Sequence, residues 1–274
     1  MESILVPTDF SECADNALEY ALHLAAQTGA AVTILNVYHV PLPAGEVPLM
    51  LVSPHEILEK TNDRLRELVS AAKIAYSSRF DVTGITREGF AADEIVETAH
   101  GLNADCVVMG TQGSTSAIGT LLGSVATAVI KRSKSPVLVI PASVRYTPIR
   151  KIVYAFDYSN EPGERTADIL KKYSRLLNAE LQIVNIVTPE KTPAEKVLAA
   201  ASGLENAFAD TQYRLYFREG EEVISELAGF ISEHKSDWLV VVPHEYGFFH
   251  SLYHRSISKQ AAMRMEIPTL SIHE

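Results

Sequence analysis

Cysteine is almost absent from this chain. It has only Cys13 and Cys106 in 274 residues, which excludes a disulfide framework or a zinc ribbon. Positive charge is scarce as well. The formal net charge is −10, with 10 basic against 16 acidic side chains in the first 148 residues and 14 against 18 in the rest. Neither half offers a surface that could track a phosphate backbone, so no nucleic-acid partner is expected. The start, MESILVPTDF, has no basic stretch followed by an apolar one, so no signal peptide is expected. One long uncharged span runs from Cys106 to Ile130. It holds Gly110, Gly113, Gly119, Gly123 and seven Ser or Thr residues, a poor composition for a membrane helix. A cytoplasmic chain with no membrane partner is predicted. Catalytic signatures are missing too: there is no G-x-x-x-x-G-K-[ST] loop and no Ser/His/Asp arrangement in recognisable context.

What is present is ample core material. At 47% hydrophobic and 21% charged, the chain is globular rather than disordered. Its length suits two units better than one, and the sequence repeats itself. Ile4-Leu5-Val6-Pro7-Thr8-Asp9-Phe10-Ser11 matches Ile152-Val153-Tyr154-Ala155-Phe156-Asp157-Tyr158-Ser159, and the stretch Val32–Val37 matches Leu181–Ile186. Arg87-Glu88-Gly89 returns as Arg218-Glu219-Gly220, Ala104-Asp105 as Ser236-Asp237, and Ser135–Ile140 as Ile267–Ile272. Matches in one order along both halves mark a tandem duplication.

Each half alternates strand and helix. Continuous apolar runs such as Cys106-Val107-Val108-Met109 suit parallel strands covered on both faces, and Ala14, Leu18, Ala21, Leu22 and Ala25 share one helical face. The pattern predicts an α/β chain of two tandem doubly wound domains, 1–143 and 149–274. Each is read as a five-stranded parallel sheet in the order 3-2-1-4-5, flanked by helices. From Asn36 to Arg87 is 51 positions, against 33 from Asn185 to Arg218. The excess lies in a Pro-rich connection, residues 40–52, read first as a surface loop, with a lid or a partner contact as the alternative.

In such a sheet the ligand sits beyond the carboxyl ends of the strands where the winding reverses, at Pro7–Ser11 and after Met109. There the chain reads Gly110-Thr111-Gln112-Gly113, nine residues, then Gly123-Ser124 opening a helix. Glycines permit close backbone approach and positive φ, and free amides at a helix start attract anions. Against this stands a plain glycine-rich turn in which Ser124 serves only as N-cap.

Together, Gly110-x2-Gly113-x9-Gly123-Ser124 and Ile4–Ser11 resemble the nucleotide-binding pattern of universal stress proteins, and the whole chain resembles a tandem member of that family. The resemblance implies an ATP site in the first domain, with ADP or AMP as competitors and Mg²⁺ as a candidate companion. It places Asp9 beside Pro7 and Thr8 at the adenosine, and Val37 at the adenine. Gly110, Gly113, Gly123, Ser124 and Val125 cradle ribose and phosphates, and Met109 and Gln112 complete the nucleotide-binding set. Gln112 and Ala126 depart from the family's usual basic and hydroxyl residues, which loosens the expected grip on terminal phosphates. The second half keeps Asp157 but has Val242, Glu245 and Arg255 at the glycine positions, with Ser256 matching Ser124, so its site is expected to be lost.

The implied role is a non-enzymatic stress-response binding module whose domains form a pseudo-dimer, with a homodimer as a further expectation. A slow Mg-dependent ATPase or nucleotidyl transferase is one alternative, and a ligand-free scaffold another. His244, His250 and His254 lie in an aromatic-rich loop; packing or solvated roles are favoured over a metal site. Cys106 is read as an inert core thiol. Cys13, near a helix start, is read as packed rather than redox-active.

Overall fold

The computed structural model describes residues 1–39, 53–76, 79–111, 122–156, 163–187, 194–220, 222–242 and 267–273. The chain forms two compact units, Met1–Val137 and Leu138–Glu274. The division falls in the fifth strand, and residues 141–150 carry no regular structure.

The first half runs β1 (Ser3–Thr8), α1 (Glu12–Thr28), β2 (Ala31–Tyr38), α2 (Pro54–Ala75), β3 (Val82–Glu88), α3 (Ala91–Gly101), β4 (Cys106–Gly110), α4 (Ser124–Arg132) and β5 (Val137–Ile140). The second runs β6 (Lys151–Ala155), α5 (Glu164–Leu177), β7 (Glu180–Val187), α6 (Ala194–Ala207), β8 (Tyr213–Glu219), α7 (Val223–His234), β9 (Trp238–Val241) and β10 (Thr269–Ser271). Strand order is β3-β2-β1-β4-β5 in one and β8-β7-β6-β9-β10 in the other, the doubly wound order expected. The pairs β1·β2, β2·β3 and β1·β4 are parallel, as are β6·β7, β7·β8 and β6·β9.

The duplication extends to register. Ile4 stands opposite Val32 and Cys106, and its counterpart Ile152 opposite Leu181 and Trp238. Ile4, Leu5 and Val6 are all fully buried, so both faces of β1 are covered by helices. The α1 helix lies close to the sheet because its inner face is small: Ala14, Ala17, Ala21 and Ala25 are buried. Ser11 Oγ caps its start by accepting from the Ala14 amide, and Gly29 ends it at φ +78, a left-handed turn that glycine adopts without strain.

Three of the five repeated motifs have a framing task. The Asp105 carboxylate accepts from the amides of Glu2 and Ser3 at the start of β1, and Asp237 does the same for Arg150 and Lys151 at the start of β6. Buried Asn36 and Asn185 each donate through Nδ2 to a carbonyl at the carboxyl end of their unit's first strand, Thr8 closing β1 and Phe156 just beyond β6, both at 2.7 Å. Gly89 takes φ +156, a conformation that side-chain-bearing residues rarely adopt, and at Gly220 a Cβ would lie 2.3 Å from Glu226 Cγ.

Burial pushes the Tyr146 hydroxyl, in the 141–150 connection, up to about 12. The folded state therefore holds this proton after the unfolded chain has released it, and stability falls as pH rises from about 10 towards 12. Ultraviolet titration will show a late-ionising tyrosine, with a falling urea midpoint over the same interval; ionisation of every tyrosine near the ordinary value would contradict this.

Candidate functional site

The carboxyl end of β1 delivers Pro7 and Thr8 to the crevice and passes into a short turn. The Phe10 amide donates to Thr8 Oγ1 at 2.9 Å and the Ser11 amide to Asp9 Oδ1 at 3.1 Å. Phe10 sits at φ +61, a left-handed conformation that costs a bulky residue roughly 1–2 kcal/mol and marks a constrained place. Thr8 is buried and Asp9 exposed, so the turn offers the carboxylate to the crevice.

Across the crevice β4 ends at Gly110, followed by Thr111. The Gly123 amide donates to the Thr111 carbonyl at 2.6 Å, pinning the two ends of the intervening loop together. Gly123 is the N-cap of α4, with φ −66 and ψ 157, and its carbonyl accepts from both the amide and the hydroxyl of Thr127. The amides of Ser124, Val125 and Ala126 have no acceptor among the described residues. They are the orphan donors of a helix start, carrying its partial positive charge.

These parts line an open cleft. Its apolar wall includes Leu35, Val37, Ile95 and Met109, and its polar rim Thr8, Asp9, Thr111 and Ser124. Asp9 is the sole ionisable side chain among the described lining residues. The arrangement suits a flat apolar ring system with a polar, anion-bearing tail: apolar contact on one side, a carboxylate for hydroxyls, and a helix N-terminus for the anion.

Pro7, Thr8, Asp9, Val37, Met109, Gly110, Gly123, Ser124 and Val125 all line this cleft, whereas Gln112 and Gly113 lie outside the described residues. Ala14, Leu35, Ala91, Ile95 and Thr111 line it as well and were not singled out by sequence, and Ala126, named there only for the hydroxyl it lacks, joins them. They are small or apolar side chains whose pattern reads as ordinary core. Thr111 alone had a signal, as the neighbour of Gly110.

Two expectations are corrected. Ser124 is not the N-cap: that place belongs to Gly123, and Ser124 is the first helical residue with its side chain exposed. Nor are the two glycines there for positive φ. Gly123 has an ordinary extended conformation, and Gly110 is needed because a Cβ on it would lie 2.6 Å from Cys13 Sγ and 2.9 Å from the Cys13 carbonyl oxygen. The close approach at Gly110 is by helix α1 of this chain. Cys13 is accordingly half-buried against β4, and Cys106 is fully buried.

In the second unit buried Val242 follows β9 where Gly110 ends β4. Asp157, Glu245, Arg255, Ser256 and the histidines at 244, 250 and 254 lie outside the described residues, as does the connection 40–52. No group of three metal-ligating side chains, and no helix long and apolar enough to cross a membrane, occurs among the described residues.

Comparison with known proteins bears on the same region. A universal stress protein of Methanocaldococcus jannaschii is 36% identical over 143 residues, which is 51% of this chain and 81% of that protein. One of Methanothermobacter thermautotrophicus is 33% identical over 130 residues, 46% of this chain and 86% of that protein. The crystal structure of a universal stress protein from Archaeoglobus fulgidus superposes with a TM-score of 0.71, covering 99% of this chain and 98% of that one; at 19% identity the likeness shows the fold. The family model for universal stress proteins matches residues 1–141, half of the chain. The chain belongs to the universal stress protein family.

Proposed function

We propose that the first unit binds one adenine nucleotide, ATP or its less phosphorylated relatives ADP and AMP, and that the protein acts as a non-enzymatic stress-response module through that site. The observation that carries this reading is the meeting, in one cleft, of the Asp9 turn, the apolar wall and the three α4 amides that have no acceptor among the described residues. The adenine lies against Val37 and Met109, Asp9 accepts from the ribose side, and the phosphate nearest the ribose rests on the α4 amides.

Charge sets the role of magnesium. Between Cys106 and Ile130 the sequence contains no Lys, Arg or His, and Asp9 adds a negative charge to the rim. A helix start contributes about half a positive charge, enough for one phosphate and too little for three. Mg²⁺ then accompanies ATP to neutralise its distal phosphates. Calorimetric titration of the full chain is expected to show one nucleotide per chain, with Mg²⁺ tightening ATP but not AMP. Two nucleotides per chain would contradict the loss of the second site, for which buried Val242 is the supporting observation. No binding at millimolar nucleotide would leave a scaffold.

A further inference from the structure

The strained turn that presents Asp9 is held from outside the cleft. Arg64, on α2, places its guanidinium carbon 4.4 Å from the centroid of the Phe10 ring and donates through Nη2 to the Phe10 carbonyl at 3.3 Å. The same side chain thus grips both the ring and the backbone of the one residue in the turn that carries a positive φ. The backbone that carries Arg64 is fixed, because α2 is keyed to the sheet beneath it. Leu65 is buried against Gly84, where a Cβ would come within 3.0 Å of Leu65 Cγ and of Val69 Cγ2, and Thr86 Oγ1 donates to Asn62 Oδ1 at 2.7 Å.

We infer that Arg64 is a positioning residue of the cleft: it holds Phe10 in the left-handed conformation and so keeps Asp9 aimed at the ligand. The inference rests on the nucleotide reading above for its ligand, and on the α2–turn contact for its mechanism. Without the clamp, Phe10 relaxes towards negative φ, and the Phe10 and Ser11 amides leave Thr8 Oγ1 and Asp9 Oδ1. Asp9 then samples several directions, and ligand binding must reorder it.

The test is calorimetry on the full chain with AMP and with ATP plus Mg²⁺, comparing wild type, Arg64→Met, Arg64→Lys, Phe10→Gly and the Phe10→Gly/Arg64→Met pair. Arg64→Met is expected to weaken both nucleotides by the same factor, about three- to tenfold, and Arg64→Lys to recover part of the loss. In the Phe10→Gly background, where glycine takes the left-handed turn without strain, Arg64→Met should cost less than about twofold. A loss that grows with phosphate number would make Arg64 a direct phosphate ligand and overturn the positioning role. So would an equal loss in the Phe10→Gly background, or no loss at all.

Hydrogen exchange of the ligand-free chain reads the clamp separately. Arg64→Met is expected to speed exchange at the Phe10 and Ser11 amides while the amides of α2 keep their rates. If wild type binds neither nucleotide, the nucleotide reading falls and this exchange alone decides the clamp; unchanged rates at Phe10 and Ser11 overturn it.

Discussion

Ser124→Asp is expected to cut nucleotide affinity by about thirtyfold while leaving the fold as stable as before, or slightly more so. The two effects have opposite signs for one physical reason. An acidic side chain in the first turn of α4 complements the helix dipole and contributes about 0.3–1 kcal/mol to stability. A phosphate bound at the Ser124, Val125 and Ala126 amides meets that carboxylate at close range. At about 4 Å and an effective dielectric of 20 the repulsion is roughly 4 kcal/mol, and solvent at this exposed position reduces it to about half. Ser124→Ala removes only a hydroxyl donor and should weaken binding by less than about tenfold. Paired calorimetry and urea unfolding check both signs. Wild-type affinity in Ser124→Asp would mean that the ligand does not reach α4.

Gly110→Ala will be the more damaging change to the fold. Its Cβ would fall 2.6 Å from Cys13 Sγ and 2.9 Å from the Cys13 carbonyl oxygen. A flexible side chain could yield, but a backbone carbonyl in the first turn of α1 cannot move without shifting the helix. Overpacking of this kind costs about 1–3 kcal/mol, and the upper end is expected here. Adding Cys13→Gly to Gly110→Ala removes the sulfur but not the carbonyl, so it should restore less than half of the loss. Urea midpoints for the single and double variants measure this. A Gly110→Ala protein within about 0.5 kcal/mol of wild type would show that α1 tolerates displacement. Gly110→Val, the residue type at position 242, should also lose nucleotide, because α1 carries Ala14 into the cleft wall.

The doubly wound fold was legible because its signals are local and doubled: apolar runs recur within each unit, and the motifs of one half return in the same order in the other. The cleft was legible where chemistry marks it, at Asp9, Gly110, Gly123 and Ser124. It was illegible where membership depends on tertiary packing. Leu35 and Ile95 look like any buried aliphatic residue, and Ala91 has no chemical signature at all. Gly110 was read for the right place and the wrong neighbour, since a glycine demanding room looks the same whether a phosphate or a helix comes close. Arg64 lies 54 positions from Phe10 on an exposed helical face, where an arginine signals only solubility. The matching motifs marked the duplication without showing why they recur; Asp105, Asn36 and Gly89 each hold backbone or make room within the protein.

The aspartate pins at the two strand starts have an evolutionary consequence. They act at the amino ends of β1 and β6, on the far side of each sheet from the crevice, and they persist in both copies. Assembly of a copy is thus underwritten at its floor, while recognition is written at its rim. A duplicated gene with that division of labour can let one rim decay, or acquire a new specificity, without jeopardising the folding of either half.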